Sequence, residues 1–341
     1  MSASSMSPRY RPIPQSDAVR PAGALPLTGG PLWFDRVSEH RRDAPPRLIP
    51  AGELPADALA PLTARRAPIC GLSLDRPRIM AVLNVTPDSF SDGGRHLRCQ
   101  DAIARAEALI DAGADILDIG GESTRPGADP VPEAEEVCRT IPVITALRAA
   151  GISAPISIDT RKAAVARAAF DAGADLFNDV SALTYDPVSV AIAAASGKPV
   201  CLMHARGDPR TMQDAPRYDD VLLDVTDFLD ARIAAATAAG IPRAHILIDP
   251  GIGFGKTPGH NLDLTRGLSV LHGLGCAIVF GASRKRFIGA IGNAPEPASR
   301  GPGSLAVALE ALRQGAHVLR VHDAAETRQA LALWAALNAP A

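Results

Sequence analysis

Hydrogen-bonding and charged side chains end or follow many of the short aliphatic runs in this chain. They are Asn84, Asp159, Asn178, His204, Asp249, Ser283 to Lys285, and Arg320 with His322. A buried polar group without a partner costs about 1–3 kcal/mol, so strand ends have no structural need for so many of them. Carboxylates and carboxamides can pair with polar edges of a ligand, and cations can hold an anion. One such residue could cap a helix, as Asp159 could before Thr-Arg-Lys, but together they indicate a binding site.

The runs that precede these residues are typical of β-strands separated by alanine-rich helices. We predict strands at 79–84, 115–119, 156–159, 175–178, 199–203, 245–249, 277–281 and 317–321. Eight such units within the 264 residues from Arg78 to Ala341 favour an α/β fold, the (β/α)8 TIM barrel, whose strand ends meet at one mouth. An open, doubly wound parallel sheet is the alternative architecture.

The overall charge excludes some classes of partner. A net charge of -2, with scattered Lys and Arg residues, provides no general field for nucleic acid or an anionic membrane. The five cysteines are far apart and lack Cys-x-x-Cys spacing, which argues against disulfides and thiolate metal sites. We therefore expect a cytoplasmic protein that binds neither nucleic acid nor membrane.

Residues 1–77 differ in texture from the rest of the chain. They contain 13 of the 30 prolines and no sustained helical or strand period, which indicates an irregular, Pro-rich N-terminal arm without a core of its own. We divide the chain into this arm and a barrel at 78–341. On that division, deletion of residues 1 to about 65 should leave an active barrel.

Long motifs identify a family resemblance over residues 78–341. The segments 83–94 (LNVTPDSFSDGG) and 118–127 (DIGGESTRPG) closely resemble the two signatures of dihydropteroate synthases, which are pterin-binding enzymes. The similarity continues through 157–160, 178–181, 202–207, 249–256, 281–289 and 320–323. Ala182 is a mild departure, because a glycine often occupies that position. The resemblance implies that p-aminobenzoate displaces pyrophosphate from 6-hydroxymethyl-7,8-dihydropterin pyrophosphate to give 7,8-dihydropteroate.

The resemblance also implies a role for each site residue. The pterin ring would be held by Asp159, Asn178, Met203, Asp249, Phe254 and Lys285. Arg320 and His322 match the phosphate-contacting pair, and Asn84 matches the residue that contacts Mg²⁺ together with phosphate oxygens and water. Asp88, Phe90, Thr124, Arg125 and Pro126 would close over the site, on loops at 85–97 and 120–131. The p-aminobenzoate pocket would comprise Thr124, Pro126, Lys285 and Arg286.

Some alternatives remain at this point. The segment 251–257 (GIGFGKT) imitates a phosphate-binding P-loop, but only three residues separate Gly251 from the Gly-Lys pair, and four are needed. The resemblance makes these glycines a strand-to-helix turn where the backbone passes close to the ligand. A pterin-dependent methyltransferase and a catalytically inactive pterin-binding scaffold are the rival functions. A homodimer formed through barrel helices is the assembly that the resemblance implies.

Overall fold

A closed barrel of eight parallel strands forms the body of the protein. The structure, a computed structural model, describes residues 8–85, 95–125 and 127–338, with the backbone alone at 95–98. The barrel strands are β6 (Arg78–Asn84), β7 (Ile116–Gly120), β8 (Ile156–Asp159), β9 (Leu176–Asp179), β10 (Val200–Met203), β11 (Ile246–Asp249), β12 (Ala277–Phe280) and β13 (Val318–Val321). Pairing of β13 with β6 closes the sheet. The predicted TIM barrel is confirmed, and the open sheet is excluded.

Helices follow the strands and cover the outside of the barrel. They are α2 (Arg95–Asp111), α3 (Glu133–Ala149), α4 (Ala163–Asp171), α5 (Ser189–Ser196), α6 (Val221–Ala238), α7 (Pro258–Arg266), α8 (Arg286–Ile291), α9 (Gly301–Arg313) and α10 (Ala324–Leu337). A 3-10 helix at Leu268–Leu274 precedes β12. Within the described part of the chain, no helix combines the length and apolar character needed to cross a membrane.

Alternate positions of each strand face the two sides of the barrel wall. On β6, Ile79 and Ala81 pack toward the helices, whereas Met80 points into the barrel interior with Ile116 and Leu247. A tight turn from the arm, Ile69–Leu72, contributes Ile69 to this interior cluster. The interior is therefore packed with apolar side chains, and the polar strand ends are left at the opposite end, the mouth.

The arm is irregular in that short strands and loops dominate it. It contains β1 (Arg9–Pro12), β2 (Leu25–Pro26), β3 (Trp33–Phe34), β4 (Arg36–His40), β5 (Arg47–Pro50) and one helix, α1 (Ala56–Thr63). Strands β1, β4 and β5 form an antiparallel sheet, and β2 pairs with β3. Trp334 of α10 packs against a cluster of seven buried apolar residues in the arm: Leu27, Leu32, Phe34, Val37, Ala51, Leu54 and Leu62. Because a barrel residue takes part in this cluster, the expectation that the arm has no core of its own stays a prediction.

The arm is attached to one side of the barrel by charged groups. Arg9 Nη2 lies 2.8 Å from Asp227 Oδ1 and 2.8 Å from Asp230 Oδ2 on α6. Arg42 pairs with Asp224 at 2.7 Å and with Asp227 at 2.6 Å. Distances of this kind between partly buried charges indicate a docked layer.

Candidate active site

The polar ends of neighbouring strands meet at the mouth of the barrel. Asp118 on β7 is fully buried, and Asp159 on β8, Asn178 on β9 and Asp249 on β11 are each at most 9% exposed. Arg320, on β13, reaches the same group of side chains. Barrel closure brings these residues together although as many as 202 positions separate them in the chain.

Arg320 is the centre of this group. Its Nε donates to Asp118 Oδ2 at 2.6 Å, and its Nη2 donates to Asp159 Oδ2 at 2.6 Å. Asn178 Nδ2 donates to Asp118 Oδ1 at 3.3 Å. Burial alone would lower the pKa of Arg320, but Asp118 and Asp159 outweigh burial and raise it. The guanidinium is therefore permanently charged and shared between two carboxylates.

Asp118 begins the second signature but is absent from the site residues predicted above. The signal that could have revealed it is a carboxylate in the middle of an aliphatic strand, 116–120 (ILDIG). Such a residue is almost never fully buried unless it is paired. Its partners, Arg320 and Asn178, lie on other strands, so they could be identified only in the closed barrel.

Burial and the neighbouring Arg320 have opposite effects on the pKa of Asp159. A guanidinium at 2.6 Å normally lowers the pKa of a carboxyl. Here burial outweighs Arg320, and repulsion from Asp118 adds to burial, so that the pKa of Asp159 rises to about 7. The Oδ1 atom of Asp159 is buried and has no hydrogen-bond partner in the part of the chain that is described. That oxygen is therefore available to a ligand.

Asp249 and Lys285 form the opposite side of the mouth. Burial raises the pKa of Asp249, and Lys285 opposes that change. Asp249 Oδ1 accepts from the backbone N–H of Gly251 at 2.6 Å. Lys285 Nζ donates to the carbonyl of Ile252 and lies 4.4 Å from the centre of the Phe254 ring. Burial lowers the pKa of Lys285 to about 7, so this amine can lose its charge near neutral pH.

His322 is held on the side of the site next to Arg125. Its Nδ1 is 3.0 Å from Ser283 Oγ, and its Nε2 is 3.5 Å from Arg125 Nη2. Burial lowers the pKa of His322 to about 3, and the cations Arg320 and Arg125 add to that effect. The imidazole is therefore neutral, and any positive charge on this side comes from the arginines.

The other predicted residues differ in their exposure. Met203 is 5% exposed at the end of β10, Phe254 and Thr124 are half-buried, and Arg286 is exposed at the first position of the six-residue helix α8. Asn84 is half-buried at the end of β6 and pairs in register with Gly120. Asp88, Phe90 and Pro126 lie outside the described residues.

Two turns near the site have left-handed backbones. Arg284 has φ +59° beside Lys285, and its guanidinium pairs with Asp323. Ala182 has φ +53°, a conformation that glycine adopts without the steric cost of a Cβ. Asp179 stabilises this second turn by accepting from the N–H groups of Ser181 and Leu183 at 2.7 and 3.0 Å. The left-handed backbone at Ala182 thus explains why related sequences often have glycine at this position.

Two glycines of 251–257 lie close to a neighbouring loop. A Cβ on Gly251 would lie 1.8 Å from the carbonyl oxygen of His204, and one on Gly255 would lie 2.3 Å from that of Arg206. The segment is a strand-to-helix turn as expected. The close backbone approach seen at Gly251 and Gly255 is to the loop after β10, and an approach to the ligand stays a prediction.

The comparisons with known proteins agree with this geometry. A family model described as pterin binding enzyme matches residues 80–322. Dihydropteroate synthase from Escherichia coli strain K12 is 47% identical over 260 residues, covering 76% of this chain and 91% of that protein. The structure of the Xanthomonas albilineans dihydropteroate synthase with 4-aminobenzoic acid is 49% identical, with a TM-score of 0.75 over 80% of this chain and 98% of that one.

The chain is also similar to a solved structure that contains a sulfonamide drug. The Yersinia pestis dihydropteroate synthase with a sulfonamide is 46% identical, with a TM-score of 0.73 over 78% of this chain and 96% of that one. The family model begins in β6, downstream of the arm. By its motifs, its barrel and these similarities, the chain belongs to the pterin-binding enzyme family, among the dihydropteroate synthases.

Proposed function

We propose that the mouth of this barrel joins p-aminobenzoate to 6-hydroxymethyl-7,8-dihydropterin pyrophosphate, releasing pyrophosphate and forming 7,8-dihydropteroate. The observation that carries the proposal is the convergence of Asp159, Asn178, Asp249 and Lys285 around Arg320 at one barrel end. The Xanthomonas albilineans enzyme has been solved with 7,8-dihydropteroate at 45% identity to this chain. The residue roles below extend the proposal.

The pterin would bind against the acidic side of the mouth. A pterin edge presents N–H donors, and the unpartnered Oδ1 of Asp159 is a buried acceptor for one of them. Asp249 and Asn178 add further hydrogen-bonding groups, while Met203 and Phe254 provide apolar surface. Lys285, held over Phe254, would donate to the ring from the other side.

The pyrophosphate would bind beside Arg320 and His322. The two carboxylates take two of the five N–H groups of Arg320, which leaves three for phosphate oxygens. The charge of Arg320 is nevertheless already compensated by Asp118 and Asp159. Further neutralisation of the leaving group must therefore come from elsewhere, and Arg125, 3.5 Å from His322, is one source.

A divalent cation would be the second source, and we propose Mg²⁺. The described residues contain no cluster of three or more His, Cys, Asp or Glu side chains that could hold a metal. Asn84, half-buried at the end of β6, offers one neutral oxygen, and phosphate oxygens and water would complete the ligands of a metal there, as is common for Mg²⁺. When bound, the metal would neutralise charge on the departing pyrophosphate.

The p-aminobenzoate would enter last, beneath the loops after β6 and β7. Thr124, Pro126, Lys285 and Arg286 would contact it, and Asp88, Phe90 and Arg125 would help to exclude water. The arylamine is neutral and nucleophilic at pH 7, so it needs no strong base. We favour a dissociative substitution, in which Asp159 and Asp249 stabilise positive charge on the pterin as the carbon–oxygen bond breaks.

One assay tests this function. Pyrophosphate release should require both p-aminobenzoate and the pterin substrate, with 7,8-dihydropteroate formed in equal amount. Methyl transfer without consumption of p-aminobenzoate would identify the methyltransferase instead, and pterin binding without turnover would identify an inactive scaffold.

We also propose a cytoplasmic homodimer. The five free cysteines support a reducing compartment, and light scattering of the purified protein tests the assembly.

A further inference from the structure

Lys256 is buried outside the set of residues assigned above. It is 3% exposed and lies between the loops that follow β10 and β11. Its Nζ is 2.9 Å from His204 Nδ1, 3.0 Å from the carbonyl oxygen of Phe254 and 3.4 Å from that of His204. His204 itself is 5% exposed. The contact therefore joins two loops in the interior of the protein.

The hydrogen bonds of this pair are complementary. Burial lowers the pKa of Lys256, and Lys285 adds to that effect. In its protonated form the amine has three N–H groups, which match the three acceptors around Nζ. Burial lowers the pKa of His204 to about 2, and Lys256 contributes to that change. The imidazole is therefore neutral, and it accepts at Nδ1 when its proton resides on Nε2. Asp249 attracts the Lys256 amine electrostatically and opposes the effect of burial on its pKa.

The two loops are in backbone contact around this pair. The positions of Gly251 and Gly255 leave no room for a Cβ against the carbonyls of His204 and Arg206. Tyr218 Oη donates to the carbonyl of Gly255 at 2.8 Å, and Gln213 Nε2 donates to that of Gly253 at 2.6 Å. The loop after β11 is thus held by groups from the loop after β10.

The held loop in turn carries contacts of the proposed site. The carbonyl of Ile252 accepts from Lys285, and the ring of Phe254 lies 4.4 Å from the Lys285 amine. The N–H of Gly251 donates to Asp249 Oδ1 at 2.6 Å. A displacement of this loop would therefore move the surroundings of two pterin-binding groups at once. Small misplacements of such groups cost large factors in rate.

We propose that Lys256 and His204 are positioning residues for the reaction: their contact fixes the loop after β11 and thereby places Lys285 and Asp249 against the pterin. This inference rests on the proposed function and deepens it. Among the described residues, the side-chain hydrogen bonds of Lys256 and His204 go to each other and to Phe254, whereas those of Arg320 and His322 go to Asp118, Asp159, Ser283 and Arg125. The pair should therefore affect the pterin more than pyrophosphate.

The primary test is Lys256→Met, which keeps most of the apolar side chain and removes all three hydrogen bonds. We expect kcat/KM for the pterin substrate to fall by about tenfold or more, and affinity for a non-reactive 6-hydroxymethylpterin to fall similarly. The Kd of pyrophosphate with Mg²⁺, measured by calorimetry, should change by less than about twofold. Thr226→Val is the matched control, because Thr226 is also buried and, among the described residues, its hydroxyl donates to a helix carbonyl, that of Leu222.

A pair of variants at His204 covers the case in which Lys256→Met does not fold. His204→Phe preserves the edge-on ring packing against Phe228 at 4.8 Å but removes the acceptor. His204→Gln offers an acceptor without the ring. We expect the phenylalanine variant to bind the pterin more weakly than the glutamine variant, at similar thermal stability.

Two results would overturn the inference. One is a Lys256→Met protein with a lowered melting temperature but wild-type kcat and KM, which would make the pair merely structural. The other is an equal loss of pterin and pyrophosphate affinity. A wild-type protein that forms no 7,8-dihydropteroate would instead refute the proposed function, while pterin affinity that still depends on Lys256 would support the positioning role.

Discussion

Asp159→Asn should stabilise the protein while it impairs pterin binding. Burial raises the pKa of Asp159 from an ordinary 3.8 to about 7, against the attraction of Arg320. Such a rise corresponds to about 4 kcal/mol of unfavourable ionisation in the folded state. The folded protein then binds more protons than the unfolded chain between about pH 4 and 7, so the contribution of Asp159 to stability falls as pH rises through this range.

The expected difference in unfolding free energy between Asp159→Asn and the wild type follows from the fact that asparagine carries no charge. At about pH 4.5 the wild-type carboxyl is mostly protonated when folded, and the two proteins should be close in stability. At pH 8 the folded wild type carries the charged carboxylate and is destabilised by its full ionisation free energy, whereas the variant has no charge at this position. Because Arg320 and Asp118 share the same site, we expect the free-energy difference between variant and wild type to grow by about 2–4 kcal/mol.

Urea denaturation of both proteins at several pH values measures this difference. Asp129→Asn is the control, since it removes a carboxylate whose side chain is 86% exposed in its pair with Arg210. We expect no growing difference for that variant. If the advantage of Asp159→Asn instead shrinks as pH rises, the ion pair with Arg320 outweighs burial and our reading of the site is wrong.

Four further predictions concern ligands and the arm. Arg320→Ala should weaken pyrophosphate binding and slow turnover, whereas Lys285→Ala should weaken pterin and p-aminobenzoate binding and leave pyrophosphate nearly unchanged; the opposite pattern in calorimetry would reverse the two roles. Chelation of Mg²⁺ should weaken pyrophosphate binding, and undiminished affinity in its absence would remove the metal from the proposal. Sulfonamides should compete with p-aminobenzoate at the pocket of Thr124, Pro126 and Lys285, and competition with the pterin would refute that pocket. Deletion of residues 1–65 should lower the melting temperature, because it removes Arg9, Arg42 and all seven buried residues of the apolar cluster of the arm; an unchanged melting temperature would support the expectation that the arm is dispensable.

The barrel itself could be predicted from the sequence because each of its strands is a recognisable aliphatic run. The run at 156–159 (ISID) is a strand with those bounds, and the other predicted strands differ from the observed ones by a residue or so at either end. A strand buried on both faces requires a continuous aliphatic run, and this requirement is visible in the chain. The small sheet of the arm, which pairs Arg9–Pro12 with Arg36–His40, could not be predicted, because short strands joined by proline-rich loops carry little periodicity.

The motifs likewise identified Asp159, Asn178, Asp249, Lys285 and Arg320 as residues of one mouth, since every strand of a parallel barrel ends on the same side. Which of them touch was decided only by the closed barrel. Asp118 shares the guanidinium of Arg320, a residue 202 positions away.

Tertiary structure also decided the protonation of the site. Residue type alone makes Asp159 an ordinary acid and Lys285 an ordinary base, yet burial moves the pKa of each to about 7. The pairing of Lys256 with His204 has the same origin, because it depends on the contact between two neighbouring loops. Sequence thus determined which chemical groups reach the mouth, whereas their partners and charges arose from distances that exist only when the sheet closes.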